Sequence, residues 1–349
     1  MPSPHDQLDQ HDQRDPSFSI DQKFTIELNG TPQRIHLIAD RPGLPGLLVL
    51  HGGPGVPNRH AFTGRLRELA QDFFLILWDQ RGVGGSYRPR TQGELTLDQL
   101  VTDAATLTTL VRERYELDSV SVLGFSWGTE LGIRLVQRHP ELYAAYVGSG
   151  QAVDGIRNEE IGYAAALEAA TAAGDEKGVR ALKRVGPPVA GQYRPVVRGL
   201  ITQRQVAGRH HPLRSKTPAP GRRAQGFVQS LTGGILTDPE YSWRDRWGYV
   251  RGATRSLAEL WPRVIDYDFT RDANELAVPV TFLQGRHDLT TPSVLVEEYA
   301  GVLKAPAVKL VWFEESGHGP SSTETEKFIR ELRAALLPAT AQPAERKTP

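Results

Sequence analysis

Gly124-Phe125-Ser126-Trp127-Gly128 sets a serine between two glycines, directly after the apolar run Ser119–Leu123 and directly before a helical pattern, Trp127–Arg138. That is the G-x-S-x-G spacing of a nucleophile elbow, a tight strand-to-helix turn that lifts the hydroxyl above a sheet. Glycines flank the serine because the turn leaves no room for side chains. A serine here can also do no more than cap the helix. Residues further along the chain favour chemistry. An activated serine needs a base, and the base needs an orienting acid. Asp288 lies in Gly285-Arg286-His287-Asp288, just after the apolar run Val278–Leu283, and His318 lies in Ser316-Gly317-His318-Gly319, just after Val308–Phe313. The order Ser, Asp, His is that of strand–turn–helix serine enzymes. Both residues fall beyond strand ends, where ligand and reacting groups of open α/β sheets collect. We therefore expect Ser126 as nucleophile, His318 as general base and Asp288 as the group that holds the imidazole tautomer.

Acyl chemistry also needs donors for a developing oxyanion. The backbone N–H of Trp127 is one candidate. The loop His51-Gly52-Gly53-Pro54-Gly55, directly after Gly46–Leu50, offers the other. Pro54 has no N–H, so Gly53 is the expected donor. Neither this loop nor Gly82-Val83-Gly84-Gly85 fits a phosphate-cradling pattern. No cofactor or metal is expected.

The elements that must hold these residues read as an α/β fold. Lys23–Asn29 and Gln33–Ala39 alternate around Asn29-Gly30 and predict an antiparallel hairpin. Gly46–Leu50, Phe73–Trp78, Ser119–Leu123, Ala144–Val147, Val278–Leu283 and Val308–Phe313 are short runs apolar on both faces. Such runs suit parallel strands covered by helices on both sides. Helical spacing predicts helices over Thr96–Tyr115, Trp127–Arg138, Pro292–Leu303 and Thr323–Leu337. Residues 23–150 and 273–337 thus form a core with a mostly parallel sheet. Residues 151–272, Ala- and Arg-rich with Gly/Pro linkers, read as an inserted helical cap, and 1–22 and 338–349 as flexible tails.

The 349 residues include no cysteine, which excludes thiol nucleophiles, disulfides and thiolate metal sites. The polar start has no signal-peptide core and no apolar run is long enough to span a membrane, so a cytoplasmic protein without a membrane partner is expected. Lys and Arg total 41 against 41 Asp and Glu, but the charges are segregated. Residues 177–237 hold twelve Lys and Arg and no acid, leaving 29 basic against 41 acidic residues elsewhere. Facing a cleft, that stretch repels ammonium groups and attracts anions; facing outward, it is a solvated helix surface. It lacks a nucleic-acid-binding module, so no nucleic acid partner is expected.

His51-Gly52-Gly53-Pro54-Gly55, Asp79-Gln80-Arg81-Gly82 with Gly84 and Ser86, and the elbow at 124–128 together resemble the proline iminopeptidase family. The resemblance covers the core, about residues 24–150 and 277–337, and not the insert. It implies an α/β-hydrolase fold and removal of N-terminal residues, preferably proline, from short peptides. It also implies an oxyanion hole at Gly53 and Trp127, and loops braced by Asp79–Arg81, with Arg81 paired to a carboxylate the sequence does not identify. In that family, acidic cap residues hold the free amino group. Here the acidic candidates are Glu159 and Glu160 at the start of the cap and Asp238 and Glu240 near its end. Trp243 and Trp247 either line a substrate pocket or, more in keeping with such residues, form the cap's packing core. The expected activity is serine-dependent cleavage of an amide or ester bond in a small molecule or short peptide. Proline iminopeptidase activity proper, acyl transfer or cyclisation, and a non-catalytic binding protein on the same fold are the alternatives.

Overall fold

The computed structural model describes residues 19–90, 93–210 and 235–340. Eight strands form one sheet: β1 (Ile20–Leu28), β2 (Thr31–Ala39), β3 (Gly46–Leu50), β4 (Phe74–Trp78), β5 (Val120–Phe125), β6 (Tyr146–Ser149), β7 (Val280–Gly285) and β8 (Val308–Phe313). Their order is β1-β2-β4-β3-β5-β6-β7-β8. β2 pairs antiparallel with both β1 and β4, and every pair from β3 onward is parallel. Asn29 and Gly30 close the β1–β2 hairpin with φ of 48° and 76°, the left-handed pair that Asn-Gly turns supply at low cost.

The apolar runs alternate between two buried faces. Leu48, Leu50, Ile76, Trp78, Val122 and Phe282 join one core, while Leu47, Val49, Leu75, Leu77, Leu123 and Leu283 join the other. On the first face pack α1 (Leu97–Arg114), α2 (Trp127–Arg138) and α7 (Ser293–Val302), and on the second α8 (Thr325–Thr340). Burial on both faces explains why these strands read as continuous apolar runs.

Between β6 and β7 the described residues form no sheet strand. They form α3 (Gly155–Ala172), α4 (Glu176–Val185), α5 (Val196–Arg209) and α6 (Trp243–Glu259). Tyr163, Ala166, Leu182, Tyr193, Leu200 and Val206 give three of these helices their own apolar cluster. α6 lies against the loop after β4. A Cβ at Gly248 would stand 2.1 Å from the Gly84 carbonyl, and one at Gly252 would stand 2.3 Å from that of Gly82. The two glycines are what let the backbones meet.

Three boundaries differ from expectation, one of them the end of α8, which runs to Thr340 inside the stretch 338–349 read as a tail. β1 begins at Ile20, inside the stretch read as a tail, because Asp21 and Lys23 are tied to His36 and Glu240. The final helix is broken at Glu324, whose carboxylate accepts hydrogen bonds from the Glu315 N–H and the Ser316 hydroxyl and turns the chain toward the loop after β8. Among the described residues no helix is long and apolar enough to cross a membrane.

Candidate active site

Ser126 stands at the end of the central strand β5 with φ 52° and ψ −122°, a conformation L-residues rarely hold. Its N–H donates to the Ser149 carbonyl at 3.0 Å, and its carbonyl accepts from the Thr129 N–H and hydroxyl at 2.7 and 2.6 Å. The flanking glycines are sterically required. A Cβ at Gly124 would lie 2.6 Å from the Gly128 carbonyl, and one at Gly128 would lie 2.2 Å from that of Leu50. The elbow is thus pressed against the end of β3, whose loop carries Gly53.

Asp288 and His318, on loops after β7 and β8, meet: His318 Nδ1 is 2.9 Å from Asp288 Oδ2. An ionised carboxylate only accepts, so Nδ1 carries a proton, and in the neutral form of the ring the lone pair is on Nε2. The Asp288 side chain is fully buried and accepts from the Thr290 and Thr291 N–H groups (2.8 and 3.0 Å), the Thr291 hydroxyl (2.7 Å) and Gln284 Nε2 (3.2 Å). Burial pushes this carboxyl up. The His318 charge and hydrogen bond, with those from Thr291, outweigh burial and hold it below the usual carboxylate range. The ring of His318 lies against Gly150, where a Cβ would be 3.1 Å from Cε1. Gly150 follows the Ser149 whose carbonyl holds Ser126, so the three residues share one edge of the sheet.

The glycine loop bends over the elbow. A Cβ at Gly52 would stand 3.2 Å from that of Ser126, and Gly53 has φ 125°. Among the described residues neither the Gly53 N–H nor that of Trp127 meets a hydrogen-bond acceptor. Trp127 opens α2, so its amide is one of the donors a helix N-terminus leaves free. His51 supports this loop in a way the sequence does not announce. It is buried and lowered to about 4 by loss of solvation, so it is neutral. Its Nδ1 donates to the Gly52 carbonyl at 2.9 Å, while Nε2 accepts the Gln80 N–H at 3.1 Å. Gln80 also donates to the His51 carbonyl at 3.1 Å and accepts from the Trp127 indole at 3.4 Å. Arg81 finds its carboxylate in Asp103, with Nε 2.6 Å from Oδ2 and Nη2 2.8 Å from Oδ1.

The cap candidates separate. Glu159 is buried and paired with Arg204 at 2.5 and 3.0 Å. Beside it, Asn158 donates to the Thr290 carbonyl of the acid loop at 2.9 Å. Glu240 is also buried, held by Arg59 (2.5 Å), Lys23 (2.6 Å) and His36 (3.1 Å). Arg59 further grips Asp79 at 2.8 and 3.1 Å, so one guanidinium joins the chain before α6 to the loop after β4. Glu160 is exposed and Asp238 half-buried. Trp243 and Trp247 are 72% and 55% exposed, against the expectation of a packing core; Tyr249 is buried instead. They sit on the outer side of α6, whose inner side is taken by Gly248 and Gly252. Of the basic stretch, Lys177, Arg180, Lys183, Arg184, Arg194, Arg198 and Arg209 are exposed, and among the described residues only Arg204 turns inward. Arg214, Lys216, Arg222 and Arg223 lie outside the described residues. Apart from Arg204, the described basic side chains of the stretch are solvated surface.

Residues 45–325 match the family described as alpha/beta hydrolase fold. Over 290 residues the chain is 27% identical to the probable aminopeptidase YbaC of Bacillus subtilis (strain 168), covering 82% of this chain and 87% of the relative. A proline iminopeptidase of Heyndrickxia coagulans is 26% identical over 315 residues, 88% of this chain and 91% of that one. In three dimensions the crystal structure of VinJ aligns with a TM-score of 0.63 at 18% identity, covering 91% of this chain and 99% of its own. That of the Mycobacterium smegmatis proline iminopeptidase aligns with a TM-score of 0.57 at 18% identity and the same coverage. At such identities the alignments show the fold alone. With the family match spanning most of the chain and aminopeptidases as its sequence relatives, the protein belongs to the alpha/beta hydrolase fold family and is a proline iminopeptidase-like hydrolase.

Proposed function

We propose that this hydrolase cleaves an amide or ester bond through an acyl-enzyme on Ser126. The observation that carries the reading is the 2.9 Å contact between His318 Nδ1 and Asp288 Oδ2, on the sheet edge that also presents the Ser126 elbow. In this reading His318 Nε2 takes the Ser126 proton as Oγ attacks the substrate carbonyl. The N–H groups of Gly53 and Trp127 donate to the oxyanion of the tetrahedral intermediate. His318 then passes the proton to the leaving amine or alcohol, and Ser126 keeps the acyl group. Water, deprotonated by His318, attacks the acyl carbon; the acid leaves and Ser126 regains its proton. Asp288 stays ionised throughout and holds the imidazole.

The helices between β6 and β7 select the substrate. The names of the sequence relatives favour the N-terminal residue of a short peptide, with proline release as the narrower reading. Glu159 and Glu240 are already neutralised by Arg204 and Arg59, which leaves Glu160 and Asp238 as the cap candidates for an incoming ammonium. The test is a panel of L-prolyl- and L-leucyl-4-nitroanilide beside 4-nitrophenyl esters, run on the wild type and on Ser126→Ala. The expected result is turnover that disappears in the variant. Undiminished turnover in Ser126→Ala refutes the mechanism, and the ranking of anilides against esters decides the substrate class.

A further inference from the structure

α3 reaches the loop that carries Asp288. Asn158, buried in its first turn, donates from Nδ2 to the Thr290 carbonyl at 2.9 Å and to Glu159 Oε1 at 3.0 Å. A carbonyl and an ionised carboxylate only accept, so the amide has one orientation. Glu159 is fixed in turn by Arg204 of α5, with Nη2 2.5 Å from Oε1 and Nη1 3.0 Å from Oε2. Gly162, one turn further along α3, keeps the approach close. A Cβ there would stand 3.2 Å from the Leu289 carbonyl.

The Thr290 carbonyl and the Thr291 N–H belong to one planar peptide unit, and that N–H donates to Asp288 Oδ1 at 3.0 Å. Turning the plane to withdraw the N–H breaks the Asn158 bond. Donation to the carbonyl also polarises the amide and strengthens its N–H as a donor. On the sheet side, Gln284 Nε2 holds the Thr291 carbonyl at 3.1 Å. A continuous chain of hydrogen bonds thus runs from Arg204 through Glu159, Asn158, the 290–291 peptide and Asp288 to His318.

We propose that Asn158 is a positioning residue for the reaction at Ser126. It fixes the 290–291 peptide on Asp288 and so ties the seating of α3 to the direction in which His318 is held. This role rests on the Ser126–Asp288–His318 mechanism proposed above.

The test compares wild type, Asn158→Ala and Asn158→Leu, the second keeping the volume and helix propensity while removing both donors. Two rates are read: hydrolysis of the best substrate from the anilide and ester panel, and covalent labelling of Ser126 by diisopropyl fluorophosphate. Circular dichroism and melting temperature report the fold. In each folded variant kcat and the labelling rate are expected to fall about tenfold, with KM within about twofold of wild type. A lowered melting temperature with both rates intact makes Asn158 merely structural and overturns the proposal. A loss confined to KM places it in substrate binding and overturns it equally. If Ser126 is not labelled even in the wild type, the underlying mechanism fails and the proposal with it. If the wild type is labelled and both variants match its rate, the positioning role alone fails.

Discussion

At the residue scale, the proposed chemistry turns on how His318 is held. Asp288 receives four hydrogen bonds besides that of His318, two of them from backbone N–H groups, so its charge is fixed by the loop as well as by its partner. Replacing it with Asn removes the acceptor that keeps the proton on Nδ1. We predict a loss of about 10⁴ in kcat for Asp288→Asn with the fold retained. Stopped assays beside circular dichroism check both halves. Because Asp288 is held below the usual carboxylate range, it remains ionised down through mildly acidic pH. Any acid limb of kcat/KM above about pH 5 therefore belongs to another group. The strand-end positions of Ser126, Asp288 and His318 were legible in the sequence because each follows an apolar run. His51, Gln80 and Thr291 were not, because their work is to brace other residues, and no spacing marks it. His51 stood in plain view within the glycine loop, and its burial as a neutral ring could not be read from its neighbours.

At the element scale, three close backbone approaches position the site: α2 on β3, the loop after β3 on the elbow, and α6 on the loop after β4. Each depends on glycine. A Cβ on Gly128 would have to occupy space 2.2 Å from the carbonyl of Leu50, the last residue of β3, and 2.8 Å from that of His51, which is held by Gln80 Nε2. Gly128→Ala is predicted to destabilise the fold by about 3 kcal/mol or more, read by urea denaturation. The strands and the four core helices were legible from apolar periodicity. The break at Glu324 was not, since it depends on a carboxylate reaching back to the loop after β8. The outward placement of Trp243 and Trp247 was equally hidden: with Gly248 and Gly252 taking the contact face of α6, the large side chains are left outside. In composition an aromatic cluster looks like a core whichever way it faces.

At the scale of the whole molecule, charge segregation in the sequence has two outcomes in space. Its described basic part is mainly surface, while a few opposite charges are buried as joints between parts of the chain. The joint at Arg59 ties Asp79 on the core to Glu240 and Asp245 near α6, and Lys23 and His36 bring in the β1–β2 hairpin. Burial works against the Glu240 charge, but the hydrogen bonds from His36 and Lys23 and the charge of Arg59 outweigh it and bring its pKa down to about 2 from 4.5. A carboxyl lowered on folding stabilises the native state above its unfolded pKa, and that stabilisation fades as pH falls through the folded value. Lys23 is 41% exposed, so part of the effect is screened. Glu240→Gln is predicted to lower stability by about 2 kcal/mol at pH 7, with the deficit shrinking between about pH 4.5 and 2. Denaturation curves for both proteins across that range give the answer; a deficit that does not change with pH contradicts the assignment.

The central claim, an acyl-enzyme on Ser126, is tested most directly by allowing a fluorophosphonate to react with the native protein and mapping the adduct by peptide mass spectrometry. The predicted result is a single phosphonyl group on Ser126, formed in step with loss of hydrolysis and greatly slowed in His318→Ala. An adduct on another residue, or full hydrolytic activity with Ser126 modified, would contradict it.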